Sequence, residues 1–213
     1  MARRLAAILA ADVVGYSRLM GKDETGTHTA LKALREELFA PKIAEHSGRI
    51  VKLMGDGVLV EFTSAVEAVA CAAALQRSIA DRNTSIPEDR RLTFRMGINL
   101  GDVIIEGDDL YGDGVNIAAR LESLAEPGGI YLSGKVHAEV MTKLDLAFDD
   151  LGLKEVKNIA EPIHVYRVAT ERPNCTAPSP ETEALSRPDK PSIAVLPFTN
   201  MSGDPEQEDF SDG

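Results

Sequence analysis

The chain has 213 residues, of which 44% are hydrophobic and 27% are charged, and it carries a formal net charge of −11 at pH 7. This composition is typical of a globular protein with one domain of ordinary size and a small additional segment. The negative charge disfavours nucleic acid as a partner, because nucleic-acid-binding domains are basic. It leaves nucleotides open, since a few local cations suffice to bind their phosphates.

Two features of the sequence bear on cellular location. The two cysteines, Cys71 and Cys175, provide neither a disulfide framework nor a metal cluster, so they favour a reducing cytoplasm. The apolar stretch 5–14 follows two arginines and resembles a signal peptide, but it contains Asp12 and lacks a cleavage region. We therefore predict a cytoplasmic chain with no membrane segment in these residues.

The first predicted element is a buried strand over residues 6–14, interrupted only by Asp12 and followed by Gly15-Tyr16-Ser17. An acid inside an apolar strand costs free energy unless something compensates its charge, and a cation is a common compensation. A helix is then predicted over residues 29–46, with leucines at helical spacing, and Pro41 should kink or split it.

Residues 49–62 predict a β-hairpin that turns at Gly55-Asp56-Gly57. Asp56 is open to two interpretations, because Asp-Gly is also favoured in such turns for its backbone angles alone. Together with Asp12, however, it would give one carboxylate on each of two central strands. That arrangement predicts a magnesium site, since Mg²⁺ usually takes few carboxylates and completes its shell with phosphates and water.

The middle of the chain alternates helices and strands. Ser64 and Glu67 form a capping box that opens a helix to about residue 81. Residues 92–99 then alternate as a strand with Arg95 on the face opposite the apolar side chains, and 101–106 is predicted to be its hairpin partner. Arg95 is either a surface residue or a ligand for an anion.

An acidic, glycine-rich loop is predicted over residues 107–114, followed by a helix over 115–125. Asn116 and Arg120 lie four residues apart and therefore on one face of that helix. They form either a solvent-facing stripe or, beside the glycine-rich loop, a pair suited to anionic oxygens.

The remaining pattern predicts a strand at 130–133, a short helix at 134–141 and two last strands within 147–168. Prolines in a polar run predict a linker over residues 171–190, and residues 192–198 read as a new strand. Helices and strands alternate but hairpins lie among them, so the predicted class is α+β.

Four motifs in order, ADVVGYS, KLMGDG, FRMGINLGDV and DDLYGDGVNIAARLE, are similar to the catalytic domain of class III nucleotidyl cyclases. The resemblance spans about residues 4–168 and assigns residues 1–170 to that domain. It implies a ferredoxin-like α/β sandwich that forms a head-to-tail homodimer. Residues 191–213 resemble the start of a TolB-like region, which implies a downstream regulatory domain in a bacterial multidomain protein.

The resemblance also implies roles for individual residues. Asp12 and Asp56 match the two metal-binding aspartates, and Val13 is counted with them. The remaining matches are a triphosphate loop at Gly15, Tyr16 and Ser17, triphosphate-binding side chains at Arg95 and Lys157, a ribose-orienting Asn116 and a transition-state-stabilising Arg120.

Lys52 and Asp109 occupy the family's purine-selecting positions, with Asp108 next to the latter. Adenine presents an acceptor at N1 and a donor at N6, which suit a lysine and an aspartate respectively. Guanine presents the reverse edge, so its polar groups would be mismatched.

The resemblance thus implies an adenylyl cyclase that converts ATP to 3′,5′-cyclic AMP and pyrophosphate with two divalent cations, Mg²⁺ or Mn²⁺. Three alternatives stay open: a guanylyl cyclase with the same chemistry, a domain that binds nucleotide without turnover, and a purely structural interaction domain. The last would leave the paired strand acids unexplained.

Overall fold

A computed structural model describes residues 2–107, 109–157, 159 and 161–169. These residues belong to a compact unit, Met1–Pro173. The predicted linker 171–190, the predicted TolB-like start 191–213, Asp108 and Cys175 lie outside the described residues.

The described chain contains eight strands and six α-helices. The strands are Ala2–Val13 (β1), Arg49–Met54 (β2), Gly57–Phe62 (β3), Phe94–Glu106 (β4), Asp109–Tyr111 (β5), Ile130–Ser133 (β6), Ala147–Lys154 (β7) and Ile163–Ala169 (β8). The helices are Tyr16–Lys22 (α1), Glu24–Leu34 (α2), Ala40–Glu45 (α3), Ala65–Asn83 (α4), Asp113–Leu124 (α5) and Gly134–Val140 (α6). A π-helical segment, Arg35–Phe39, joins α2 to α3, and a 3-10 turn lies at Glu88–Arg90.

All strands belong to one sheet with the order β2-β3-β1-β4-β6-β8-β7, and β5 pairs with β4. β1 runs antiparallel to both β3 and β4, and β2 runs antiparallel to β3. The connection β1-helices-β2-β3-α4-β4 with this strand order is the ferredoxin-like arrangement. The predicted α+β class is therefore confirmed.

The two faces of the sheet differ in how they are covered. Odd-numbered residues of β1 and even-numbered residues of β4, including Leu9 and Met96, pack in the main core with α2, α3, α4 and α6. Ile8 and other even-numbered residues of β1 pack in a second cluster with Ala118 of α5. Because side chains alternate along a strand, Asp12 and Arg95 fall on the α5 face.

β4 is one strand of 13 residues, so the predicted hairpin between residues 92–99 and 101–106 is wrong. β1 provides a long partner, with pairs from Ala2 opposite Ile105 to Val13 opposite Phe94. A hairpin at this place would have had a single residue between its strands, fewer than the two that common hairpin turns use. The predicted loop 107–114 also contains a short strand, β5.

The predicted helix 29–46 is longer at its start and changes its hydrogen-bond pattern near Pro41. It begins at Glu24, where the Asp23 side chain accepts a hydrogen bond of 2.9 Å from the Gly26 N–H. The π-helical segment precedes α3, and Pro41 occupies the first turn of α3, where its missing N–H is tolerated. The helix is therefore not split at Pro41: a π-helical segment changes its hydrogen-bond pattern just before the proline, and the backbone stays helical throughout.

Cys71 is a free thiol at 0% exposure, and burial raises its pKa to about 12. It therefore fills space in the core and is not a reactive thiolate. No helix in the described part of the chain is long and apolar enough to cross a membrane.

α5 packs directly on the backbone of β4 at Gly97. A carbon added at Gly97 would lie 2.1 Å from the backbone N of Glu122 and 2.3 Å from the carbonyl oxygen of Ala118. The start of α5 is anchored as well, because the buried Asn99 side chain donates a 3.0 Å hydrogen bond to the Gly114 carbonyl. The helix is thus held against β4 near both of its ends.

We expect Gly97→Ala to destabilise the fold by about 2–3 kcal/mol, because the new methyl group overlaps backbone that cannot move independently. Urea unfolding followed by circular dichroism measures the change. Gly21→Ala is the matched control: Gly21 lies in α1 with nothing within 4 Å, so the change should be neutral or slightly stabilising. Equal stability of the Gly97→Ala variant and the wild type would contradict the close contact.

Candidate active site

Asp12 and Asp56 are brought together at one end of the sheet. Asp12 is the penultimate residue of β1, and Asp56 lies in the turn between β2 and β3. A carbon added at Gly57 would lie 3.2 Å from the Ala11 carbonyl oxygen and 3.5 Å from Asp12 Oδ1, so the turn rests against the end of β1. Burial raises the pKa of Asp56, and the neighbouring Asp12 carboxylate raises it further.

Two carboxylates this close repel each other when both are ionised, and a bound divalent cation would relieve that repulsion. The donor set fits a hard cation such as Mg²⁺, which takes oxygen ligands and often only one or two carboxylates from the protein. In residues 2–107, 109–157, 159 and 161–169, no group of three or more histidine, cysteine and acidic side chains forms a larger metal cluster. Val13 has a hydrocarbon side chain without a donor atom, so only its backbone carbonyl could contribute a ligand.

The chain turns from β1 into α1 directly after this pair. Gly15 adopts left-handed backbone angles, φ 67° and ψ 30°, and precedes the first helical residues Tyr16 and Ser17. Its carbonyl accepts hydrogen bonds from the backbone N–H groups of Arg18 and Leu19. The first N–H groups of a helix have no intrahelical acceptor, so the backbone here could bind phosphate oxygens.

Arg95 lies opposite Asp12 in the β1–β4 register and contacts two carboxylates with one nitrogen. Its Nη2 donates a 3.1 Å hydrogen bond to Asp12 Oδ2 and lies 3.2 Å from Glu122 Oε1 of α5. The exposed fractions of the three side chains are 29% for Arg95, 27% for Asp12 and 12% for Glu122. The predicted phosphate-binding arginine therefore lies directly beside the predicted metal site.

Glu122 is strongly perturbed in this environment. Burial raises its pKa to about 7, the Asp12 and Asp56 carboxylates act in the same direction, and Arg95 opposes them. Glu122 Oε1 and Arg95 Nε are buried without a hydrogen-bond partner among the described residues. The contact between Arg95 and Glu122 is therefore an ion pair without hydrogen-bond geometry. It lowers the pKa of Glu122 by less than burial raises it.

Arg35 fixes the turn that carries Asp56. Its Nη2 donates hydrogen bonds to the carbonyls on either side of Asp56, at 2.6 Å to Gly55 and 3.1 Å to Gly57. Burial lowers the pKa of Arg35, and Tyr16 and Asp56 act in the opposite direction. Arg35 is also the first residue of the π-helical segment, a feature that is frequent at functional sites.

Lys52 and Asp109, the predicted purine-reading pair, are in contact. Lys52 Nζ lies 3.2 Å from Asp109 Oδ2, and the Tyr111 hydroxyl donates a 3.2 Å hydrogen bond to the same oxygen. The Asp109 carboxylate raises the pKa of Tyr111. The contact joins β2 to β5, with a β-bulge between Ile50 and Lys52 in β2.

Asn116 and Arg120 lie one turn apart on α5, as predicted. Asn116 is exposed and Arg120 is half-buried. Within the described residues, no carboxylate forms an ion pair with Arg120, and no hydrogen bond joins either residue to Asp12 or Asp56. Within one chain, therefore, neither Asn116 nor Arg120 is linked to Asp12 or Asp56 by a hydrogen bond or an ion pair in the part that the structure describes.

Lys157 lies in the connection between β7 and β8 and is exposed. No hydrogen bond or ion pair links it to any other residue that the structure describes. Its predicted role in binding the phosphate tail stays a prediction.

Sequence reasoning missed three residues of this region: Arg35, Tyr111 and Glu122. Glu122 follows Arg120 by two residues in the last motif, and an acid there among apolar helix positions was the available signal. Tyr111 stands two residues after Asp109. Arg35 gave no signal, because it acts on backbone carbonyls that are distant in sequence.

Comparison with known proteins identifies a family. The sequence profile of the family described as "Adenylate and Guanylate cyclase catalytic domain" matches residues 3–170. A "Putative adenylate cyclase 3" from Rhizobium meliloti (strain 1021) is 55% identical over 216 residues, covering 99% of this chain and 36% of that protein. An "Adenylate cyclase" from Streptomyces coelicolor is 32% identical, covering 68% of this chain and 36% of that protein. The chain thus spans about a third of the length of these relatives.

Solved structures have the same fold. An adenylate/guanylate cyclase/hydrolase from Silicibacter pomeroyi is 45% identical with a TM-score of 0.73, covering 79% of this chain and 98% of that one. The adenylyl cyclase CyaB from P. aeruginosa is 26% identical with a TM-score of 0.70, covering 81% and 97%. The guanylyl cyclase Cya2 is 25% identical with a TM-score of 0.69, covering 82% and 96%.

The raised pKa of Glu122 predicts how stability depends on pH in the metal-free protein. In the unfolded chain this carboxyl loses its proton near its ordinary value of 4.5, whereas the folded chain keeps it to about pH 7. The unfolded state therefore binds fewer protons between these values, and the contribution of Glu122 to stability declines as pH rises through that window. We expect Glu122→Gln to remove a decline of the order of 2 kcal/mol.

Denaturant unfolding in a chelator between pH 4.5 and 8 measures this difference in slope. Glu126→Gln is the control, because Glu126 is an exposed partner of Arg167. This substitution should leave the dependence of stability on pH unchanged. Parallel curves for Glu122→Gln and the wild type would contradict the assignment.

Proposed function

Since the chain belongs to the family of adenylate and guanylate cyclase catalytic domains, we propose that it converts ATP to 3′,5′-cyclic AMP and pyrophosphate. The observation that carries the proposal is the placement of Asp12 and Asp56 side by side with Arg95 next to them. Carboxylates for cations and an arginine for phosphate are the groups that phosphoryl transfer from a nucleoside triphosphate requires.

Asp12 and Asp56, with the backbone of Val13, would hold two divalent cations, Mg²⁺ or Mn²⁺. When bound, these cations lower the pKa of the ribose 3′-hydroxyl and neutralise charge on the triphosphate. The raised pKa of Asp56 supports this assignment, because a crowded carboxylate pair is stabilised by added positive charge.

The triphosphate would be bound by Arg95 and by the backbone at Gly15, Tyr16 and Ser17. Arg95 is suited to this because its side chain is 29% exposed and a single nitrogen, Nη2, makes both of its contacts to carboxylates. Lys157 would contact the end of the phosphate tail from the β7–β8 connection.

The chemical step is a displacement at the α-phosphorus. The 3′-oxygen forms a bond to the α-phosphorus, its proton passes to water, and the bond from the α-phosphorus to the bridging oxygen breaks to release pyrophosphate. Asn116 would orient the ribose, and Arg120 would stabilise the charge that develops on the α-phosphoryl oxygens. Arg120 is available for this role because no described carboxylate pairs with it.

Lys52 and Asp109 would select adenine. Lys52 Nζ donates to adenine N1, and Asp109 accepts from the N6 amino group, while guanine would leave both residues facing groups of the same polarity. The 3.2 Å contact between the two side chains supports a joint role, and the Tyr111 hydroxyl holds the Asp109 carboxylate.

The active protein would be a head-to-tail homodimer with two equivalent sites. One chain carries the carboxylate pair as well as Asn116 and Arg120, yet no hydrogen bond or ion pair among its described residues joins the two sets. A twofold interface would bring Asn116 and Arg120 of one subunit to Asp12 and Asp56 of the other.

We place this domain in the cytoplasm, ahead of a downstream regulatory region.

We expect Asp56→Ala to lower cyclic AMP formation by about 100-fold or more, because it removes a charge that holds the cations. Product formation from ATP with Mn²⁺ and with Mg²⁺ measures the effect. Asp81→Ala is the control, since Asp81 is an exposed residue of α4, which covers the opposite face of the sheet. Metal-dependent nucleotide binding by the wild type without any cyclic product would instead identify a non-catalytic nucleotide sensor.

Reversing the polarity of the purine pair should change nucleotide preference. We expect Lys52→Glu with Asp109→Asn to raise the ratio of GTP to ATP turnover by about 10- to 100-fold, because these residues then match guanine N1 and O6. The ratio of kcat/KM values for the two nucleotides measures this. Tyr111→Phe keeps both members of the pair and should change the ratio far less. A wild type that prefers GTP would overturn the purine assignment while leaving the cyclase mechanism intact.

A further inference from the structure

Arg95 is shared between two carboxylates in a way that the proposed reaction does not explain. A single nitrogen, Nη2, contacts Asp12 Oδ2 at 3.1 Å and Glu122 Oε1 at 3.2 Å. Asp12 has a role as a cation ligand, but Glu122 has none. A carboxylate that binds a cation is a weaker partner for a neighbouring guanidinium, so cation binding must alter the surroundings of Arg95.

Glu122 is held in place by the packing of α5. The backbone N of Glu122 would lie 2.1 Å from a carbon added at Gly97, and Gly97 is two residues from Arg95 on the same face of β4. The backbone of Glu122 is therefore fixed beside β4, and from there its side chain reaches the Arg95 guanidinium. Its side chain is 12% exposed, so solvent screens this contact only weakly.

Both members of this contact keep unused hydrogen-bonding capacity. Glu122 Oε1 and Arg95 Nε are buried and have no hydrogen-bond partner among the described residues. Leaving such groups unpaired costs free energy, and in a native structure each instance calls for an explanation. If the Arg95 guanidinium must rotate slightly between two carboxylate partners, this would explain why both groups lack a hydrogen-bond partner.

We propose that Glu122 is a positioning residue that keeps Arg95 in place when a cation takes Asp12 from it. This inference rests on the proposed function, because it assumes that Asp12 binds a cation. In the metal-free chain, Arg95 is shared between Asp12 and Glu122. With Asp12 engaged by a cation, Glu122 becomes the main anionic partner of Arg95, and the remaining N–H groups are available to phosphate.

Without Glu122, Arg95 would pair with Asp12 alone. A cation would then have to displace the guanidinium completely, and the two positive charges would face each other with one counter-charge fewer. Loss of Glu122 should therefore weaken cation binding, and it should do so through Arg95. That dependence separates positioning from a direct metal contact.

The test is a double-mutant cycle on Mn²⁺ binding at pH 8, where Glu122 is ionised, followed by electron paramagnetic resonance or calorimetry in the absence of nucleotide. The four proteins are the wild type, Glu122→Gln, Arg95→Met and the double variant. In the presence of Arg95 we expect Glu122→Gln to weaken Mn²⁺ affinity by about 10-fold, the size typical of residues that orient metal ligands. In the Arg95→Met background the same change should have less than about a 3-fold effect.

Glu126→Gln is the matched control, because it removes a carboxylate just beyond the end of α5 that pairs with Arg167 instead of Arg95. It should leave Mn²⁺ affinity unchanged. Glu122→Asp keeps the charge on a shorter side chain and should restore part of the affinity. Glu122→Met, which also removes the charge, replaces Glu122→Gln in the cycle if the latter fails to fold. Circular dichroism checks the fold of each variant.

An equal loss of Mn²⁺ affinity in both backgrounds would overturn the proposal, because Glu122 would then act on the cation directly. Unchanged affinity in Glu122→Gln, or no Mn²⁺ binding by the wild type, would overturn it as well. Failure of the proposed function looks different. A wild type that binds Mn²⁺ but forms no cyclic AMP would reject cyclase activity, while the cycle would still report on Glu122.

Discussion

The antiparallel pairing of β1 with β4 is the contact on which the rest of the structure depends. It places Asp12 directly opposite Arg95 and gives both strands an apolar face against the helical layer. The burial of that apolar face provides the free energy that keeps charged groups together on the other face. The β2–β3 turn rests against the end of β1, and α5 rests on β4. The carboxylates and the arginine therefore come together although they are far apart in sequence.

The helical layer covers the sheet, and it also positions a residue of the candidate site. Arg35 reaches from the π-helical segment to the two carbonyls that flank Asp56, so a distortion of the helix is linked to the conformation of the turn. An exposed turn between two short strands is otherwise free to fray. The position of the second carboxylate therefore depends on a contact between elements that are separate in sequence.

The sequence predicted what short-range patterns determine. Gly55-Asp56-Gly57 indicated the turn, the alternation around Arg95 indicated its face, and the spacing of Asn116 and Arg120 indicated one side of a helix. The continuity of β4 was mispredicted, because it depends on the long partner strand β1 and not on local residues. Glu122 and Arg35 were missed for the same reason, since their contacts exist only after α5 and the π-helical segment have packed.

The absence of a side chain at Gly97 has a mechanical consequence. Because the α5 backbone meets the β4 backbone at Gly97, and because the Asn99 side chain is bonded to the Gly114 carbonyl, we expect α5 and β4 to move together. Asn116, Arg120 and Glu122 lie on α5, and Arg95 lies on β4. A displacement of α5 would therefore move all four residues in concert, so an event at one end of α5 would reach the proposed substrate-binding side chains as a single movement.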